Sequence, residues 1–513
     1  MKKIFAILIM LFPVGLFAQK KDKSAMQAAA TITAQDMQKH LYILAGPDME
    51  GRDTPSPGLE KAANYIENHF RQLGLTPGNN GSYRQQYALY KDSMASASLE
   101  INGVAYGLNE DFQPLPGNYI ASMRFSEIVF AGFGISDGEL RNDYKELPVT
   151  GKLVLIMDGM PEGYKPSVGG FSSPASLNGK LNAALSRGAA GLLIIHSNFP
   201  RRAQPVTSNW SLNGFKPTQS LFGAYISAKV AAILLNTEPE SVIQKIKSNS
   251  FAHKPYRGLT SLSYVKQTIM APVSNVIGLI EGTDKKDEYV FITAHYDHVG
   301  KRNDGTIYYG ADDDGSGTTG ILELAEAFAT AKKTGAGPRR TIVLMPVSGE
   351  EKGLWGSQYY AENPIFPLEK TTVDLNIDMI GRIGSEYLTD KDSVNYVYTI
   401  GDDKLSSDLA PITQQVNNTY LKMKLDGKYN DPKDPNRFYY RSDHYNFAAK
   451  GVPIIFYFNG VHTDYHKPTD TPDKINYPLL AKRTQLVFYT AWEMANREAM
   501  LKRDMPLGMP PGR

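Results

Sequence analysis

Tyr289-Val290-Phe291-Ile292-Thr293-Ala294-His295-Tyr296-Asp297-His298 is an apolar run that ends in histidine and aspartate. Gly310-Ala311-Asp312-Asp313-Asp314-Gly315-Ser316-Gly317 follows and opens a helical pattern, with Ile321, Leu324, Ala325 and Phe328 on one face. A second apolar run, Thr341-Ile342-Val343-Leu344-Met345-Pro346-Val347, then ends in Ser348-Gly349-Glu350-Glu351. Strand, acidic loop, helix, strand and acidic pair make one βαβ unit of a parallel sheet. In open α/β sheets the site lies beyond the carboxyl ends of the strands, and here those ends carry His, Asp and Glu. The pattern outlines a metal site.

Further strands are predicted at Asn275 to Ile280, Val373 to Ile377, Val397 to Ile400 and Val452 to Phe458. The fold expected is α/β, a mostly parallel central sheet flanked by helices. Upstream, Thr33 caps a helical pattern, and Pro57 opens another that Gly74 ends. Between Asp111 and Lys266 short alternating segments prevail, and no His and acidic residues there combine in a ligand pattern. That block reads as an inserted β-rich domain. The expected division is therefore 1–18 export signal, 19–110 first part of the catalytic domain, 111–266 insert, 267–500 remainder of the catalytic domain and 501–513 flexible tail. Asn417 to Tyr440, rich in Asn, Asp, Pro and Tyr, is expected to be a long loop near the site.

Of the 513 residues 42% are hydrophobic and 21% charged, ordinary globular composition with room for two domains. A formal net charge of +2 gives no reason to expect nucleic acid or an anionic membrane as partner. With no cysteine, neither disulfides nor thiolate ligands are available, so a zinc ion must sit on His, Asp and Glu, a ligand set typical of catalytic sites. Lys2, Lys3 and the apolar stretch Ile4 to Phe17 read as an export signal cleaved near Ala18-Gln19. That stretch is shorter than the roughly 20 residues that span a bilayer, so the mature protein is expected to be exported, periplasmic or extracellular, with no stable membrane association.

Four strand ends deliver candidate ligands: His295, Glu350 with Glu351, Asp378 in Leu375-Asn376-Ile377-Asp378-Met379, and His466 in His462-Thr463-Asp464-Tyr465-His466. Two histidines and three carboxylates suffice for two zinc ions if one carboxylate bridges, and the resulting net positive centre favours a bound hydroxide. Each has a plainer reading: the aspartates before Ser316 as helix caps, Glu350-Glu351 as solvated loop charge, Asp378 as a turn residue. Ser442-Asp443-His444 has the composition of a catalytic triad, but consecutive residues cannot aim at one point.

The conjunction resembles the zinc-dependent aminopeptidase and glutamate carboxypeptidase family, metallopeptidase family twenty-eight. The phrases that carry it are Ala294 to Asp297, Gly310 to Gly317, Gly349-Glu350-Glu351-Lys352-Gly353-Leu354-Trp355-Gly356-Ser357, Asn376 to Gly381, and Asp464-Tyr465-His466-Lys467-Pro468-Thr469-Asp470, with Gly51-Arg52. The resemblance implies that His295 and Asp378 hold one zinc, Glu351 and His466 the other, and Asp313 bridges. It makes Glu350 the general base and Tyr465 the stabiliser of the oxyanion. Asp297, two residues after His295, is expected to face the same way and accept the imidazole's free N–H. The insert resembles a protease-associated domain, on the strand Gly151 to Met157 and the helix and strand from Lys180 to Ile195. The implied activity is hydrolysis of peptides, with an aminopeptidase favoured by the Asp464 to Asp470 phrase. A glutamate-type carboxypeptidase, with Arg437 and Arg441 as candidate carboxylate binders, a glutaminyl cyclase and a receptor-like relative without metals are the alternatives.

Overall fold

The computed structural model describes residues 21–115, 121–203, 207–214 and 221–508. The export signal expected over residues 1–18 lies outside them. Among the described residues no helix is long and apolar enough to cross a membrane. Two compact units are formed, one from Met1–Tyr87 with Pro272–Arg513 and the other from Ala88–Ala271.

The larger unit is built on an eight-stranded sheet. Its strands are β1 (Thr76–Pro77), β2 (Gly278–Ile280), β3 (Lys285–His295), β4 (Arg340–Val347), β5 (Thr371–Ile377), β6 (Tyr396–Ile400), β7 (Lys424–Asp426) and β8 (Ile454–Phe458), in the order β1-β2-β4-β3-β5-β8-β6-β7. The central four, β4, β3, β5 and β8, are parallel. Every residue of β4, β5 and β8 is buried, which is why they read as continuous apolar runs rather than alternating ones. The register sets His295 opposite Val347, Thr293 opposite Asn376 and Ile377 opposite Tyr457, so the carboxyl ends of these strands form one edge.

Helices α1 (Ala34–Leu44), α2 (Pro57–Leu73), α3 (Gly315–Lys333) and α4 (Tyr477–Asn496) pack with one another, and α3 and α4 also pack against the sheet. Thr33 caps α1 through its side chain, Ser56 caps α2, and Gly74 ends α2 in the left-handed conformation that glycine adopts without steric cost. Phe291 of β3 packs with Tyr360 and Phe447, whose ring centroids lie 5.4 Å from its own. Truncating a buried ring of this kind to alanine costs about 3–5 kcal/mol.

The smaller unit holds its own eight-stranded mixed sheet. Leu153–Met157, Gly191–Ile195 and Phe222–Ile226 run parallel in it, and helices Leu177–Leu185, Ala228–Leu235 and Pro239–Lys247 accompany them. The division falls at Tyr87/Ala88 and Ala271/Pro272, not at the expected 111 and 266. The reason is that strands Arg84–Ile101 and Pro255–Val276 run through both junctions without a turn, so no Gly or Pro cluster marks either boundary.

Two further expectations meet a different structure. Asn417 to Tyr420 close the helix Leu409–Tyr420, and Lys424–Asp426 is an edge strand, so the long loop begins only after Asp426. Residues 501–504, expected to open a flexible tail, are held along the larger unit. Leu501 is buried with its N–H donated to Thr372, and Arg503 donates to the carbonyls of Leu368 and Thr371.

Candidate metal centre

The three consecutive aspartates divide the work that either simple reading gives to all of them. Asp314 is the cap: its carboxylate accepts from Gly317 N at 2.8 Å, Met379 N at 3.1 Å and His295 N at 3.2 Å, joining α3 to the ends of β5 and β3. Asp312 is a brace, accepting from Gly381 N at 2.6 Å and lying 3.1 Å from His462 Nε2. Asp313 turns its carboxylate toward His295, His298 and His466.

Glycine is required on both sides of the triplet. Gly310 has φ +57°, and a Cβ there would fall 2.4 Å from the His298 ring. A Cβ on Gly317 would fall 2.4 Å from the Asp314 carboxylate and 2.5 Å from the carbonyl of Ile377. The turn is also tied from afar, because Asp470 accepts the N–H of Ala311 on its carbonyl and those of Asp312 and Asp313 on its carboxylate. Arg52, fully buried, donates to the carbonyls of Leu44, Tyr296, Tyr309 and Gly310. A buried guanidinium with four carbonyl acceptors is satisfied, and it fixes the loops around the strand edge.

Around Asp313 two triads form. His295, Asp313 and Asp378 offer ligand atoms within 4.8 Å of one another, and so do His298, Asp313 and Glu351. His295 Nε2 lies 3.3 Å from Asp313 and 3.7 Å from Asp378. His298 Nδ1 lies 2.8 Å from Glu351, while His466 Nε2 reaches Asp313 at 2.9 Å and Glu351 at 3.1 Å. His295 Nε2, both ring nitrogens of His298, Asp313 Oδ2 and Glu351 Oε1 are buried and lack a hydrogen bond of acceptable geometry. Buried polar atoms in native proteins are paired almost without exception, and a nitrogen and oxygen set of this composition suits zinc. The residues therefore fit two cations sharing Asp313.

His298 was not assigned from the sequence, although it stands in the same phrase as His295. The signal was the strand end itself. β3 stops at His295, and the three residues that follow fold back so that His298 meets the acidic turn. Asp297 also lies beyond the strand, and its two groups separate. Its backbone carbonyl is 3.1 Å from His295 Nδ1, whereas its carboxylate is 3.7 Å away and accepts from Glu350 N and Thr54 Oγ1. The carbonyl thus meets the imidazole, and the carboxylate positions the Glu350 backbone.

Ser442, Asp443 and His444 point to three different partners: Asn376, Ser357 and the carbonyl of Tyr439. They form no triad.

Burial pushes the Glu350 carboxyl well above the ordinary range, with His295 opposing and Glu351 and Asp378 adding. For Asp313 burial acts in the same direction, but His295 and His466 outweigh it and hold the carboxyl well below its usual value. His466 is raised to about 10, its burial being outweighed by Asp313 and Glu351. Burial, with Asp313 and Glu351 adding to it, raises the Tyr465 phenol, so this hydroxyl keeps its proton at neutral pH. The Tyr465 ring stacks on His466 with centroids 3.9 Å apart.

Asp313, Glu350 and Asp378 line an open cavity, whose walls include Tyr465, Arg441 and Phe456. Arg437, the other cation considered for a carboxylate, lines a separate cavity with Lys404 and Tyr440.

Residues 275–491 match Peptidase family M28. A probable glutamate carboxypeptidase of Arabidopsis thaliana is 34% identical over 154 residues, covering 30% of this chain and 21% of that protein. The chain thus spans about a fifth of that relative's length. A probable leucine aminopeptidase of Arthroderma otae is 26% identical over 309 residues, 55% of this chain and 80% of that one. Among solved structures, an aminopeptidase from Aneurinibacillus sp. strain AM-1 aligns over 94% of this chain and 99% of its own at 18% identity and a TM-score of 0.49. The stretch that matches Peptidase family M28, Asn275 to Ala491, carries every residue of the two triads.

Proposed function

We propose that the protein is an exported di-zinc exopeptidase that releases residues from the free N-termini of peptides. The observation that carries this reading is the pair of triads sharing Asp313, with Glu350 in the same cavity but in neither triad. His295 and Asp378 would hold one ion, Glu351 with His466 and His298 the other, and Asp313 both. Bound there, zinc supplies Lewis acidity that lowers the pKa of the attacking water and polarises the scissile carbonyl.

The chain's own groups do the rest. Glu350 Oε2, 3.9 Å from His295 Nε2, accepts the proton of the attacking water and returns it to the leaving amine. Its burial favours the protonated acid, and two nearby cations favour the carboxylate, so the group is fit to take up and release one proton. Tyr465 O–H donates to the carbonyl oxygen as that atom gains negative charge. Asp297 fixes the Glu350 backbone, and Arg52 with Asp470 fixes the turn that presents Asp313.

The smaller unit, among its described residues, offers no group of three potential ligands. We assign it a protease-associated role in selecting peptides. Lys2, Lys3 and the apolar Ile4 to Phe17 support export, and N-terminal sequencing of the mature protein tests it by locating a cleavage near Ala18-Gln19.

The test of the activity is a panel of aminoacyl p-nitroanilides beside N-blocked peptides with free C-termini, with and without chelator, and with metal quantified. Chelator-sensitive cleavage of the anilides alone supports the aminopeptidase. Cleavage of the blocked peptides alone establishes the glutamate-carboxypeptidase-like alternative, which the cation Arg441 on the cavity wall favours. A protein that folds, binds no metal and cleaves neither is the receptor-like relative.

A further inference from the structure

The cavity at the candidate centre is lined by charged side chains at two places. One is the acidic end, committed to cations and to the substrate amine. The other is Arg441. Met379, Phe438, Phe456, Phe458 and Val461 form the apolar wall. Arg441 stands on this wall with its guanidinium 5.0 Å from the centre of the Phe438 ring and Nη2 3.3 Å from the Tyr465 hydroxyl. No carboxylate lies within ion-pair distance of it among the described residues, whereas the fully buried arginines of this unit, Arg52, Arg340 and Arg483, rest on carbonyls or an acid. It is the single cation lining the cavity.

An unpaired guanidinium beside an apolar surface acts on the next charge to arrive. A side chain ending in ammonium or guanidinium meets a like charge, and one ending in carboxylate meets a two-pronged donor. We propose that Arg441 is a specificity-determining residue that sets a charge filter on the residue entering this cavity. Apolar side chains and those ending in a carboxylate are accepted, and cationic ones are excluded. The exclusion is the sharper half, because discrimination by a repulsive element does not require a matched fit. This inference rests on the peptidase reading of the same site.

The test compares leucyl-, glutamyl- and lysyl-p-nitroanilide in the zinc-loaded protein and in Arg441→Gln, Arg441→Glu and Arg441→Lys. The ratio of kcat/KM for glutamyl over lysyl substrate is expected to fall on the order of tenfold or more in Arg441→Gln, to invert in Arg441→Glu and to survive in Arg441→Lys. Using the ratio cancels any uniform loss caused by freeing the Tyr465 hydroxyl. A ratio unchanged in both Arg441→Gln and Arg441→Glu, with leucyl substrate still cleaved, overturns the filter. Calorimetric binding of glutamate, norleucine and lysine to the same four proteins reads the filter without turnover. Preference for glutamate over lysine, lost in Arg441→Gln, upholds it even if no anilide is cleaved, and equal affinities overturn it. The failure of the filter and the failure of the peptidase reading are therefore told apart.

Discussion

Two places in the larger unit set histidine against buried carboxylate, and they come out differently. At the strand edge, Asp313, Glu350, Glu351 and Asp378 surround His295, His298 and His466, and the acids outnumber the bases. Between α1, α2 and α3, one acid, Glu323, meets His40, which in turn packs on His69. His40 Nδ1 pairs with the Tyr65 hydroxyl at 2.7 Å, its Nε2 lies 3.7 Å from Glu323, and the His69 ring stands edge-on to it with centroids 4.7 Å apart. Burial there pushes Glu323 up to about 8 and His40 down to about 4, so both are neutral near pH 7. Residue types alone do not make a cation site. One acid can escape its charge by keeping a proton, but four converging from three segments call for positive charge from outside.

The largest expected effect comes from removing the residue that the two triads share. Asp313→Ala should bind neither ion, and its turnover should fall by more than the roughly 10⁴-fold upper range of acid–base catalysis. Elemental analysis of active wild-type protein checks the premise, since one metal per chain would remove the bridging role.

Glu350→Gln comes next. It keeps the shape and both ions and loses the base, so kcat should drop about 10²- to 10⁴-fold with KM little changed. Glu351→Gln should instead lose metal. A Glu350→Gln protein with full metal and nearly full kcat would sink the mechanism.

A smaller effect separates the two histidines near Glu351. His298→Ala and His466→Ala should each weaken binding of the second ion while leaving the first in place, read by chelator titration. Unchanged affinity in His298→Ala would leave that ion to His466 alone and make His298 a brace of the acidic turn.

The smallest effect belongs to the helical cluster and touches stability only. A raised carboxyl pKa means that the folded protein keeps a proton the unfolded chain has released. Between about pH 4.5 and 8 stability therefore falls as pH rises. Glu323→Gln removes that loss, and at pH 9 its Tm should exceed the wild-type value by about 2–4 °C, with activity and metal content unaltered. The depressed His40 works from the other side, its contribution being lost as pH falls from about 6.5 to about 4. A Tm difference that is the same at pH 5 and pH 9 would show that Glu323 does not titrate in this range.

The strand edge was legible because buried parallel strands announce themselves as apolar runs, and the residues that follow them share one edge whatever their distance along the chain. What periodicity does not carry is how a chain folds once a strand has ended. His298 and the Asp297 carbonyl take their places through a fold-back after His295, and no spacing rule describes it. Within the triplet Asp312 to Asp314 only the family resemblance singled out Asp313: three identical side chains became a brace, a candidate ligand and a cap according to backbone direction. The edges of the smaller unit were hidden because two long strands run through both of its junctions.

Asp470 holds the amides of Asp312 and Asp313 from 158 and 157 positions further along the chain. During synthesis the acidic turn thus emerges long before the residue that shapes it. Until Asp470 arrives, the three aspartates are ordinary solvated acids, and His295, His298 and Glu351 have no common focus. Cation capture would accordingly be a late event in maturation, coupled to the closing of these long-range contacts rather than to the appearance of its ligands. A chain cut short just before Asp470 would carry all of the candidate ligand residues and is expected to take up no metal.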